Sequence, residues 1–102
     1  MNIDISTEHI AMRPEWHDII GTWLEGCRRR HPDVQAIDLR IRHADSDPEG
    51  EAVDLVALAR GRSLHAAGRA TDMGMALYDA LDALERELAL NEAIRPKTPR
   101  LQ

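Results

Sequence analysis

Apolar and polar residues alternate from the first positions of the chain. Met1, Ile3 and Ile5 fall on one side and Asn2, Asp4 and Ser6 on the other, which predicts a short strand over Asn2 to Ser6 with one buried face. Pro14 then suits the first turn of a helix, where its missing N–H is not needed. Trp16, Ile20, Trp23, Leu24 and Cys27 recur at helical spacing as one apolar stripe, with Asp18, Thr22, Glu25 and Arg29 opposite. Gly21 and Gly26 each weaken this helix by up to about 1 kcal/mol, and His31-Pro32-Asp33 ends it.

Three strands are predicted next. Ile37, Leu39 and Ile41 alternate with Asp38, Arg40 and Arg42, the clearest period-two pattern in the chain. A polar loop, Ala44 to Gly50, separates it from Glu51 to Ala59, which is apolar on both faces (Val53, Leu55 and Ala57 against Val56 and Leu58) and reads as a central strand. Arg60-Gly61-Arg62-Ser63 is short enough for a tight hairpin in which glycine supplies φ > 0, leading into a last strand over Ser63 to Ala70. From Asp72 the period returns to that of a helix. Met73, Leu77, Ala80, Leu84 and Leu88 form its stripe, flanked by Ala76 and Leu81, and either Thr71 or Asp72 can cap it. It runs to about Asn91.

The predicted order is β-α-β-β-β-α, an α+β two-layer sandwich. The first crossover is long enough to make strands one and two parallel, and the later links suit an antiparallel meander. Each helix has a single apolar stripe, so both should cover one face of a four-stranded mixed sheet. Residues 1–93 are expected to be one domain, and residues 94–102, with Pro96 and Pro99, a flexible tail.

Composition narrows the reading. With 102 residues, three aromatics and no phenylalanine, the core must be built from Leu, Ile, Val, Met and Ala and will be thin. There is no secretory signal pattern at the N-terminus and no apolar run long enough to span a membrane. The one cysteine, Cys27, has no partner for an internal disulfide, which fits a reducing compartment, the cytoplasm. The net charge of −5 argues against a protein that coats nucleic acid indiscriminately. The charge is nonetheless uneven. Residues 28–42 hold five Arg against two Asp (+3), residues 60–69 hold three Arg and no acid, and residues 72–92 hold six acids against Arg86 alone (−5).

Catalytic chemistry is not suggested. The five histidines are scattered with no pair at helical i, i+4 spacing, so they read as surface or half-buried residues; no metal site or cofactor is expected. Asp45, Asp47, Glu49 and Gly50 resemble the first half of a calcium loop, but its twelfth position is Val56 and Pro48 interrupts the turn, so the site fails. Cys27 lies on the apolar stripe and reads as a core residue rather than a nucleophile. No acid–base pair points to an enzyme.

The element order and several residues resemble the ribosome hibernation-promoting factor family, which includes protein Y and proteins labelled sigma-54 modulation. The carriers are the opening strand Met1 to Ser6, the Asp72-Met73 pair that starts the last helix, Ala76, Leu77, Ala80, Asp82, and the run Leu84-Glu85-Arg86-x-Leu88, with the 60–64 hairpin where the family has its Pro-Gly-Gly-x-Leu turn. Gly74 replaces the family's aromatic, and Tyr78 stands one turn later on a similar face. Ala83 replaces a lysine, and Glu87, Leu90 and Glu92 replace basic final turns. The length matches a short form without the dimerisation domain.

The resemblance implies a stress-response protein that binds the RNA of the small ribosomal subunit in the mRNA and tRNA channel and represses translation in resting cells, without catalysis, DNA or a membrane. RNA contacts of this kind rest on arginine–phosphate pairs and shape. The candidates are Arg28, Arg29, Arg30, Arg40, Arg42, Arg60, Arg62 and Arg69. The alternative is an interaction module that kept the fold and lost the RNA site, with the outer sheet face around Val56 and Leu58 as a homodimer or partner surface.

Overall fold

The computed structural model of the chain describes residues 1–43 and 50–93. The expected 94–102 tail and the calcium-like stretch at 45–49 lie outside the described residues. The elements are β1 (Asn2–Thr7), α1 (Pro14–Arg30), β2 (Val34–His43), β3 (Glu51–Ala59), β4 (Arg62–Ala70) and α2 (Met73–Ala93). They form the expected α+β arrangement. The four strands lie in the order β1-β2-β3-β4, with β1 parallel to β2 and the other two pairings antiparallel.

Register sorts the side chains. Ile3, Ile5 and Thr7 pair with Ile37, Leu39 and Ile41, and these in turn with Ala57, Leu55 and Val53, so one face of the sheet is a continuous apolar floor. Gly68, Ala66 and Leu64 extend it across β4. The helices cover this floor. Trp16, Ile20 and Cys27 of α1 and Met73, Leu77, Ala80, Leu84 and Leu88 of α2 share one cluster with Ile37, Leu39, Ile41, Val53 and Leu55, while Trp23 and Leu24 pack at its margin. A single core therefore joins both helical stripes to the sheet, as two amphipathic helices on one sheet face require.

Small residues set the spacing of the layers. A Cβ added at Gly68 would lie 2.5 Å from the Ala80 nitrogen and closer still to the Ala76 carbonyl oxygen. The backbone of α2 thus rests directly on β4, and only glycine there, facing two alanines, permits it.

The ends of the elements follow local chemistry. Pro14 opens α1 after an extended Arg13, the conformation a residue before proline favours. Of the two possible caps of α2, Asp72 is the one used. Its Oδ2 accepts the Met75 N–H at 3.2 Å, satisfying one of the unpaired amides of the first turn. The β3–β4 turn is tighter than the four residues expected. Strand pairing continues to Ala59↔Arg62, and Arg60 and Gly61 both have positive φ, 55° and 76°. That is the two-residue turn whose twist matches the strands.

Candidate functional site

The eight arginines fall into two groups, because β3 separates them by most of its length. Val34 pairs with Ala59 at the start of β2, so the C-terminal end of α1 and the 60–62 turn lie at the same end of the molecule. Arg28, Arg29, Arg30, Arg60 and Arg62 gather there. Arg60 donates to Asp33, and Gln35 Oε1 accepts the Gly61 N–H at 3.4 Å, which fastens the turn to the start of β2. The other three, Arg40, Arg42 and Arg69, stand on the uncovered sheet face. There Arg42 and Arg69 flank Ala52 in register, and Arg40 faces Asp54.

Not all of these cations are open. Arg30 is bound by Glu85 of α2 through two bonds, Nη2 to Oε1 at 2.7 Å and Nε to Oε2 at 3.3 Å. Arg42 donates to Asp54 Oδ2 at 2.8 Å, and Arg40 lies 3.5 Å from Glu8. Arg28, Arg29 and Arg62 are exposed and form no ion pair among the described residues. The three unopposed charges at the end of the sandwich are therefore these. The +3 balance over 28–42 does not become one continuous basic face, since Asp4 and Asp38 sit side by side in the β1–β2 register of the outer sheet.

Beside that end lies a junction the sequence does not reveal. His31, expected at the surface or half buried, has a side chain only 6% exposed. Its Nδ1 lies 2.7 Å from Glu92 Oε2, and its Nε2 meets Glu85 Oε2. Two ring nitrogens facing two carboxylates can both donate only as imidazolium. Burial by itself would lower the His31 pKa, but the bonds to Glu85 and Glu92 outweigh it and the pKa is raised. Burial likewise favours protonated Glu85, yet the bonds from Arg30 and His31 outweigh it and hold its pKa below the ordinary range. Cys27, one turn earlier in α1, is buried, and its thiol is pushed up to about 11 by burial and then by the Glu85 charge. The cluster binds α1 to the middle and end of α2. Partners 54 and 61 residues away leave no local signal, and the acidic run over 72–92 was the one available hint.

The other functional surfaces are simple. No group of three or more His, Cys, Asp and Glu among the described residues could hold a metal ion. No helix among the described residues is long and apolar enough to cross a membrane. On the outer sheet face Val56 is half buried and Leu58 37% exposed.

No protein-family description matches this sequence, and no curated protein does. Solved structures do match. A ribosomal subunit interface protein from Coxiella burnetii superimposes with a TM-score of 0.79 at 18% identity, over 91% of this chain and 99% of that one. The chain shares the fold of that protein. The N-terminal domain of Thermus thermophilus protein Y matches with a TM-score of 0.70 at 17% identity, over 86% of this chain and 96% of that one. The fold expected from the resemblance to the hibernation-factor family is the fold observed.

Proposed function

We propose that this chain is a non-enzymatic, cytoplasmic, ribosome-associated protein that docks on RNA of the small ribosomal subunit and represses translation in resting or stressed cells. The observation that carries the reading is the superposition on nearly the whole of a ribosomal subunit interface protein. Three exposed arginines at one end of the molecule, Arg28, Arg29 and Arg62, which form no ion pair among the described residues, support it. Planar guanidinium groups grip phosphate oxygens in pairs, and three of them on a rigid edge, beside a turn tied down by Asp33 and Gln35, form a phosphate-reading corner. Arg40, Arg42 and Arg69 are secondary contacts, since carboxylates compete for two of them. The acidic α2 would then face away from RNA.

Cosedimentation with purified small subunits at low and moderate salt tests this. Binding that weakens steeply with salt is expected; failure to cosediment at low salt overturns it. A second reading, contact between copies through the outer sheet face, draws on the exposure of Leu58 beside Val56. It predicts a dimer in sedimentation equilibrium that Leu58→Asp abolishes.

A further inference from the structure

Of the three aromatics, only Trp16 is in the core, where the Arg13 guanidinium lies 5.5 Å from its ring centre. The other two, Trp23 on α1 and Tyr78 on α2, line one open groove of about 660 Å³ that is walled by the two helices alone. Ile19 and Leu81 complete its apolar lining, Tyr78 is 61% exposed, and Asp18 and Asp82 belong to opposite walls. The volume is that of an ordinary ligand cleft. Glu85 and Arg30 also line it, and their mutual bonds join the two walls.

The charge of this groove decides what it accepts. Asp18 forms no ion pair among the described residues. The partner of Asp82 is Arg86 at 3.2 Å, with both side chains well exposed, a pairing worth little in water. Over Met73–Ala93 the helix carries five acids; Glu85 and Glu92 are engaged by Arg30 and His31, which leaves Asp79, Asp82 and Glu87 against Arg86. Such a field repels phosphate and attracts cations. Aromatic faces attract cations as well, and an Arg or Lys stem packs on apolar surface while its charged head stays at a polar rim. Trp23, Leu81 and Tyr78 suit the stem; Asp18 and Asp82 suit the head.

We infer that the α1–α2 groove is a docking site for a basic peptide segment of another protein, a run of arginine or lysine with apolar neighbours. The site uses none of Arg28, Arg29 and Arg62 and does not depend on RNA binding. A nucleic acid is disfavoured by the charge, and a second copy docking through the same helix face would meet like charge.

The test uses the full chain and a short fluorescein-labelled peptide of alternating arginine and leucine, with a glutamine-for-arginine version as its neutral counterpart. Anisotropy should show binding of the first and not the second. In ¹⁵N spectra the Trp23 indole N–H should shift while that of Trp16 stays. Asp18→Asn with Asp82→Asn, and separately Tyr78→Ala, should weaken binding by about tenfold or more, with unchanged circular dichroism. Asp4→Asn with Asp38→Asn removes the same charge from the sheet face. An equal loss there would reduce the effect to net charge and overturn the site. Displacement of the peptide by an oligouridylate, or an unmoved Trp23 signal, would overturn it too.

Discussion

The Nδ1 of His31 lies 2.7 Å from the Oε2 of Glu92, and this bond ties the last residue before Pro32 to the final turn of the chain's longest helix. With Glu85 on the other ring nitrogen, the imidazolium is the bridge between α1 and α2. The backbone N–H of His31 also closes α1 by donating to the Cys27 carbonyl at 2.7 Å.

The pH dependence of stability follows from the two shifts. A raised His31 pKa contributes stability that is complete below the unfolded value of about 6.5 and is lost as pH rises through the folded value. A lowered Glu85 pKa contributes stability present above its unfolded value of about 4.5 and lost as pH falls through the folded one. The cluster should therefore stabilise most between about pH 4.5 and 6.5. Urea titrations of wild type and His31→Gln across pH 4–9 should show the largest gap in that window, on the order of 1–3 kcal/mol, narrowing on the alkaline side. A gap that is flat with pH would show that the imidazolium is not the bridging species.

Two glycine-to-alanine changes should have opposite signs. At Gly68 a Cβ would press on the backbone of α2 at Ala76 and Ala80, so Gly68→Ala should cost about 1–3 kcal/mol through forced separation of helix and strand. At Gly21, inside α1, a Cβ meets nothing within 4 Å, and Gly21→Ala should stabilise by about 0.5–1 kcal/mol through helix propensity. Denaturant midpoints of the two variants decide it, and a neutral Gly68→Ala would mean that α2 does not rest on β4.

Cys27 should be chemically silent in the native state. With its pKa near 11, about one molecule in a thousand is thiolate at pH 8, and the side chain is fully buried. Modification by an aromatic disulfide reagent should proceed only as fast as the protein opens and accelerate sharply in denaturing urea. Rapid labelling of folded protein would contradict the burial.

The arginines should separate into two classes. Replacing Arg28, Arg29 and Arg62 with Gln should reduce the salt slope of subunit binding by about 2–3 in log–log terms, at roughly 0.7–0.9 per lost phosphate contact, with little change in Tm. Arg30→Gln should instead lower Tm, because its guanidinium is held by Glu85. If Arg30→Gln alone flattened the slope with stability intact, the assignment of the two classes would be wrong.

The repeat of apolar positions determined the elements. Period two over Ile37, Leu39 and Ile41 and the helical stripe from Met73 to Leu88 each name a buried face, and one stripe per helix with one floor on the sheet leaves a single way to stack the layers. That reading needs only neighbours along the chain, which is why the whole β-α-β-β-β-α order was legible, together with the resemblance carried by Met1–Ser6 and Asp72-Met73. The tertiary structure alone decided which charges remain open. Arg30 and Arg28 look alike in sequence, but only Arg30 meets Glu85. His31 looks like any histidine beside a proline until α2 brings Glu85 and Glu92 onto its two nitrogens. Electrostatic neutralisation depends on distances of a few ångströms between residues more than fifty positions apart, and no local pattern along the chain encodes such distances.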